Sequence, residues 1–314
     1  HGDHAAAWGA AIAAELLRRT ILGADPIEQL DDVIGHVPRI HRSTWATLLA
    51  STWSPSVAGA PPNGTVWDCL AQAIWAIRRH MTFADAVTAA IDLGGDTDTV
   101  ACVAGALAGA RAGIQAIPSR WSTYVHGHLD TPEGRGRYDA AALHSVVRRL
   151  VAAPEPPVSP DEEPIGPLEV DGGLLAANLS SAHRHVGDQD DVGDRDDVAV
   201  LSLCRTGGRF THVPVRRELY LVDQVGLANP SLADAVRDAV DTIDAWHDEG
   251  RTVLVHCHSG RSRTALVLEA WAMRRYGWSA DEAERWLADR WPHRDPWNET
   301  FREFLRSGWQ GIGR

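Results

Sequence analysis

No apolar run in the sequence approaches the ~20 residues a membrane-spanning helix needs. Its Ala-rich stretches are broken by charge or Gly every few positions, so no membrane partner is expected. Positive charge is also scarce: 30 Lys and Arg against 42 Asp and Glu leave a formal charge of −12. Because nucleic-acid affinity rests on cations that neutralise phosphates, nucleic acid is not an expected partner either. A local basic pocket is compatible with that total. The four cysteines, Cys69, Cys102, Cys204 and Cys257, form no C-x-x-C pair. That argues against a zinc site or a disulfide framework and points to a reducing cytoplasm. Neither a charged n-region nor an apolar h-region follows His1, so no signal peptide is expected. The absence of a starting Met, with Gly2-Asp3-His4 leading straight into an apolar pattern, predicts an internal piece of a longer protein.

With 314 residues, 44% of them hydrophobic and 23% charged, the chain can bury two cores, and two domains are expected. In the first half, Ala5 to Arg19, Val66 to Arg79, Phe83 to Ile91 and Thr99 to Ala112 carry apolar residues at three- and four-residue spacing. This predicts an all-α domain over residues 1–150, with no alternating strands. A Pro-rich acidic stretch, Ala153-Pro154-Glu155-Pro156-Pro157-Val158-Ser159-Pro160 and Asp161-Glu162-Glu163-Pro164, predicts a stiff linker over 151–167. Residues 168–314 read as an α/β domain. Its expected strands are Leu174 to Ala177, Val198 to Leu203, Leu219 to Val222 and Thr252 to Val255; its expected helices are Ser231 to Glu249, Thr264 to Tyr276 and Ala280 to Trp291. The acidic run from Gly187 to Asp197 fails the calcium-loop template. Counted from Asp188, the fifth position is Val192 and the twelfth is Ala199, so it reads as a solvated loop.

The richest stretch is Val253-Leu254-Val255-His256-Cys257-His258-Ser259-Gly260-Arg261-Ser262-Arg263-Thr264: a buried strand, a tight loop, then a helix. Five residues between Cys257 and Arg263 can wrap backbone N–H groups around a tetrahedral dianion, toward which the helix presents its positive end. Arg263 can pair two phosphate oxygens at once, and Gly260 allows the tight turn. His258, Ser259, Arg261 and Ser262 read as loop formers. A helix N-terminus, inward N–H groups and Arg263 would favour the Cys257 thiolate as nucleophile. His256 would hold the loop, and the Thr264 hydroxyl would donate to the departing thiolate. Asp223, 257 − 223 = 34 residues upstream, opens a loop after an apolar segment and is the leading general acid. A solvated turn Asp is its competing reading, Asp295 before Pro296 is the runner-up acid, and a buried strand-end cysteine is the plain alternative for Cys257. A zinc reading of His256-Cys257-His258 fails because adjacent strand residues point to opposite faces.

The stretch resembles the His-Cys-x5-Arg-Thr signature of the dual-specificity phosphatase family, with the similarity running from Leu174 to Trp309. The resemblance implies a cysteinyl-phosphate mechanism without metal or other cofactor and Asp223 as general acid. The implied substrates are phosphorylated proteins or small molecules, carried on tyrosine, serine or threonine in the protein case.

A second signal is Leu93-Gly94-Gly95-Asp96-Thr97-Asp98-Thr99-Val100-Ala101. Two carboxylates two residues apart with a neighbouring hydroxyl can converge on a hard cation, although Asp and Thr before an apolar helix also serve as caps. Together with Ala104 to Ala110, Pro118-Ser119-Arg120-Trp121 and the helix from Val66, this resembles the C-terminal half of an ADP-ribosylglycohydrolase over His1 to Trp121. The resemblance implies an all-helical fold with Mg2+ held in part by Asp96, Asp98 and Thr99, ADP-ribose binding at His1, and an ADP-ribosylated substrate. The family's N-terminal Thr-Asp-Asp and Gly-Asp motifs do not occur upstream. Three readings follow: a phosphatase carrying a partial ADP-ribosylglycohydrolase domain, a bifunctional enzyme of which this is a piece, and a pseudo-enzyme that binds phosphorylated or ADP-ribosylated partners.

Overall fold

The computed structural model describes residues 4–55, 63–132, 134–153, 162–187 and 197–309. The run at 188–196, residues 154–161 of the Pro-rich linker and His1 lie outside the described residues. Two compact units divide at Ile117 and Pro118.

The first unit is built from α1 (His4–Ile21), α2 (Leu30–Gly35), α3 (Arg39–Leu48), α4 (Val66–Arg79), α5 (Phe83–Asp92) and α6 (Thr97–Ala112), followed by one 3-10 turn. No strand occurs in it among the described residues. Thr65 and Thr82 start α4 and α5 by accepting the N–H of Asp68 at 3.3 Å and of Asp85 at 3.1 Å. α4 buries Leu70, Ala71, Ala73, Ile74, Ala76 and Ile77. So nearly continuous an apolar run places it at the centre, with α1 and α6 packed against it.

The second unit begins earlier than the composition suggested. α7 (Ser119–Ser122), a hairpin of β1 (His126–Thr131) and β2 (Gly134–Asp139), and α8 (Ala140–Leu150) all belong to it. Their bonds explain why: Ser119 N–H reaches Asp238 Oδ2 at 2.8 Å, Glu218 N–H reaches Thr123 Oγ1 at 3.0 Å, and the Tyr124 hydroxyl donates to Arg216 O at 2.9 Å. The expected boundary at 150 thus falls inside the second compact unit, at the end of α8. The hairpin corrects the expectation of no strands before the linker; none of its described side chains is buried, so no apolar alternation marks it.

The main sheet has the order β3-β4-β7-β5-β6, formed by β3 (Leu168–Asp171), β4 (Leu174–Asn178), β5 (Val198–Ser202), β6 (Arg216–Glu218) and β7 (Thr252–Cys257). β3 and β4 are antiparallel, and the remaining pairs are parallel. α9 (Leu179–Val186) covers one face, and α10 (Leu232–Asp248), α11 (Ser262–Tyr276), α12 (Ala280–Arg290) and α13 (Glu299–Arg306) cover the other. Val253, Val255 and Cys257 point into the larger core and Leu254 into the smaller. Each fully buried aliphatic side chain contributes roughly 1.5–3 kcal/mol. A one-residue slip of β7 would exchange the two faces, so this burial pins the register that delivers Cys257. The expected strand Leu219 to Val222 is not one. The ladder stops with Leu219 N–H on Ser202 O at 2.8 Å, because β5, its partner, ends there. Among the described residues no helix is long and apolar enough to cross a membrane.

Candidate active site at the end of the central strand

In parallel sheets, sites form beyond the carboxyl ends of the strands, and β7 ends at Cys257, which is 1% exposed. Asn178 of β4 lies in register with Cys257, and Ser202 of β5 with His256. The ladder continues one step past each neighbour: Leu203 N–H donates to His256 O at 2.8 Å, and Leu179 N–H to His258 O at 3.1 Å. The loop then turns at Gly260, with φ +70°. A Cβ there would lie 2.9 Å from Ala177 O and 3.0 Å from Asn178 N, so only glycine fits under the end of β4. Arg261 leads into α11, whose N-terminal end therefore opens onto the loop. The buried Trp291 donates its indole N–H to Gly260 O at 2.7 Å.

His256 is fully buried, and desolvation pushes its pKa down to about 3, so it is neutral. Its Nδ1 faces the Cys257 carbonyl at 3.4 Å, and its Nε2 faces Ser202 Oγ at 2.7 Å. A carbonyl only accepts, so Nδ1 carries the proton and the Ser202 hydroxyl donates to Nε2. Cys204, just past β5, is also buried; burial first, then neighbouring Cys257, pushes its thiol up and keeps it protonated.

Arg263 donates from Nη1 to Leu221 O at 3.1 Å. Its buried Nε has no hydrogen bond and lies 3.8 Å from Asp223 Oδ2. Asp223 thus sits beside the Arg263 guanidinium, whereas Asp295, the runner-up, is an exposed residue of the α12–α13 connection. Asn298, 1% exposed, donates to Asp223 Oδ1 at 3.2 Å while its Oδ1 caps α13 through Phe301 N–H. Two further ties hold this segment: Gly226 N–H on Thr300 Oγ1 at 2.8 Å, and Asn229 bridging the Val222 backbone in both directions. The Thr264 hydroxyl is buried without a hydrogen-bond partner. At the rim, Ser259 Oγ donates to Glu162 Oε1 at 2.6 Å, and His258 Nε2 lies 3.9 Å from the same oxygen. Sequence reasoning missed Ser202, Trp291, Asn298 and Glu162. Only Asn298 carried a local signal, that of a cap before an amphipathic helix.

In the first unit, Asp96, Asp98 and Thr99 share the opening turn of α6. Asn63 shapes that turn, accepting Asp96 N–H at 2.7 Å and donating to Gly94 O at 2.8 Å. Hydrogen bonding from Thr99 and then Asp98 holds the Asp96 carboxyl below its usual range. Among the described residues no three His, Cys, Asp or Glu side chains converge on a metal position. Two carboxylates and one hydroxyl on a single turn are oxygen donors of the kind Mg2+ takes, and would supply one side of a near-octahedral set otherwise filled by water or other oxygens.

Comparison with known proteins gives two family matches. Residues 1–157 match the model for ADP-ribosylglycohydrolase, and residues 206–306 match that for the dual specificity phosphatase catalytic domain. The protein-tyrosine-phosphatase IBR5 of Arabidopsis thaliana is 28% identical over 158 residues, 50% of this chain and 59% of its own. The ADP-ribosylhydrolase ARH3 of Danio rerio is 51% identical over 52 residues, 16% of this chain and 14% of its own. The chain thus spans well under two thirds of either relative. Human DUSP28, a solved structure, aligns at 19% identity over 48% of this chain and 97% of its own, with a TM-score of 0.37.

Proposed function

The chain belongs to the ADP-ribosylglycohydrolase family through residues 1–157 and carries a dual specificity phosphatase catalytic domain over residues 206–306; on that premise we propose that it hydrolyses phosphate monoesters through a cysteinyl-phosphate intermediate on Cys257. The observation that carries this reading is the loop from Cys257 to Arg263, folded tightly under β4 by Gly260, with Asp223 set 3.8 Å from the Arg263 guanidinium.

In this mechanism Cys257 supplies the nucleophilic sulfur, and the loop N–H groups and the start of α11 form the site for negative charge beside it. The phosphoryl dianion docks among the same N–H groups, including those of His258, Ser259, Arg261 and Ser262, while Arg263 pairs two of its oxygens. The Cys257 sulfur attacks phosphorus as the bond to the leaving oxygen breaks, and protonated Asp223 supplies that oxygen with its proton. Asp223, now a carboxylate, takes a proton from a water that attacks the phosphocysteine. Inorganic phosphate leaves, and the returning thiolate accepts a hydrogen bond from Thr264, whose hydroxyl is otherwise unbonded. No metal enters either step.

Phosphotyrosine in proteins is the first substrate to test, since the Arabidopsis relative is named a protein-tyrosine phosphatase; phosphoserine, phosphothreonine and small phosphate esters follow. For the first unit, family membership suggests an ADP-ribosylated substrate, and no hydrolytic step is assigned to Asp96, Asp98 or Thr99. All four cysteines are unpaired, which suits a reducing cytoplasm. The test is hydrolysis of an aryl phosphate in excess EDTA by the parent chain, Cys257→Ser and Asp223→Asn. The first variant should abolish turnover and the second should lower kcat on the order of 100-fold. EDTA-sensitive turnover, or turnover that survives Cys257→Ser, would refute the mechanism.

A further inference from the structure

A backbone cradle for an oxyanion works only if its N–H groups point inward, and the observed bonds show what turns them. A trans peptide places its C=O and the next N–H on opposite sides. A carbonyl held from outside the loop therefore aims the following N–H into it. Four carbonyls of the Cys257 segment are held in this way. Leu203 N–H takes His256 O at 2.8 Å, His256 Nδ1 takes Cys257 O at 3.4 Å, Leu179 N–H takes His258 O at 3.1 Å, and Trp291 Nε1–H takes Gly260 O at 2.7 Å.

The first three holds are supplied by the sheet and by the histidine adjoining the cysteine. Beyond Ser259 the sheet has ended, and Gly260 has φ +70° with no side chain of its own to restrain the turn. There the Gly260–Arg261 peptide depends on one side chain 31 residues downstream. The indole N–H is a donor only, Trp291 is fully buried at the end of α12, and its bond to Gly260 O is short and direct.

We propose that Trp291 is a positioning residue of the phosphate site: its indole N–H pins Gly260 O outward and thereby aims the Arg261 N–H at the bound oxyanion. The inference rests on the phosphatase reading of the loop. It makes the oxyanion affinity of the loop depend on an atom that never touches the ligand, and it separates Trp291 from the other tryptophans of the same core. Trp286, on α12, is buried nearby and makes no hydrogen bond to the loop.

The test uses inorganic phosphate as the probe, with the full chain. Its affinity is measured by titration calorimetry and by competitive inhibition of aryl phosphate hydrolysis, for wild type, Trp291→Phe and Trp286→Phe, beside the unfolding temperature of each. Loss of one hydrogen bond to a charged ligand corresponds to a weakening on the order of ten-fold. Trp291→Phe should weaken phosphate by about that factor and raise KM more than it lowers kcat. Trp286→Phe should leave both unchanged even where it lowers the unfolding temperature. Should Trp291→Phe fail to fold, benzothienylalanine at the same position keeps the ring shape and removes only the N–H, and the same loss is expected. Wild-type affinity in either position-291 variant, or an equal loss in Trp286→Phe, overturns the role of Trp291 alone. No phosphate binding by wild type overturns the phosphatase reading and this inference with it.

Discussion

Gly260→Ala is the substitution whose consequence can be worked out most fully. The new methyl would sit 2.9 Å from Ala177 O, 3.0 Å from Asn178 N and 3.1 Å from Ala177 C, and alanine would have to hold φ +70°. The left-handed conformation alone costs a non-glycine residue about 1–2 kcal/mol. The contact under 3.0 Å is with backbone, which cannot swing aside. β4 is held there by Asn178, whose side chain accepts Ile165 N–H at 3.1 Å and donates to Glu163 O at 2.7 Å. The loop must therefore move instead, for a total of about 2–4 kcal/mol. In a unit of this size each kcal/mol is worth about 2–4 °C, so its unfolding temperature should fall by roughly 5–15 °C. Moving the loop also displaces the N–H cradle, and a shift near 1 Å at such a site costs on the order of 100-fold in kcat/KM. Scanning calorimetry and aryl phosphate kinetics read the two effects. Gly172→Ala, whose Cβ meets nothing within 4 Å, serves as the control. If Gly260→Ala stays within about 2 °C of the parent and keeps its kcat/KM, the argument from close approach is wrong.

Two other perturbations separate positioning from stability. Asn298→Ser keeps an oxygen to cap α13 but cannot reach Asp223, so it should lower kcat on the order of ten-fold while costing less than about 1 kcal/mol. Asn298→Ala should lose both, and equal kcat in the two variants and the parent would remove Asn298 from the acid's support. Glu269, buried in α11 beside Arg294 at 3.2 Å, is raised from 4.5 to about 7, mainly by burial. The folded chain keeps that proton where the unfolded chain has lost it. The stabilisation is thus complete below about pH 4.5 and lost as pH rises through about 7, on the order of 3 kcal/mol across the window. Glu269→Gln should flatten the dependence between about pH 5 and pH 9 in urea unfolding; parallel curves for both proteins would remove Glu269 as its source.

The candidate nucleophile and its loop were legible because the chemistry compresses them into contiguous residues, from the apolar strand through Cys257 to Arg263. β5 and β7 were legible for a related reason: a strand buried on both faces is an apolar run whatever its neighbours. Leu219 to Val222 has the same composition yet is no strand, since pairing depends on where β5 ends, a fact of tertiary structure. The hairpin at 126–139 was invisible because neither face is buried. The domain boundary was drawn at the change in composition; the bonds that tie Ser119, Thr123 and Tyr124 into the second compact unit reach partners about 90 or more residues away and leave no local mark. Trp291, Ser202 and Asn298 act through bonds that span tens of residues, and nothing in their local sequence marks the partner.

The most direct test of the central claim is to quench the full chain during turnover of an aryl phosphate in EDTA and map the phosphorylated peptide by mass spectrometry. The account predicts acid-stable phosphate on the peptide containing Cys257, absent in Cys257→Ser. Turnover with no phosphate on Cys257, or phosphate carried by another residue, would contradict it.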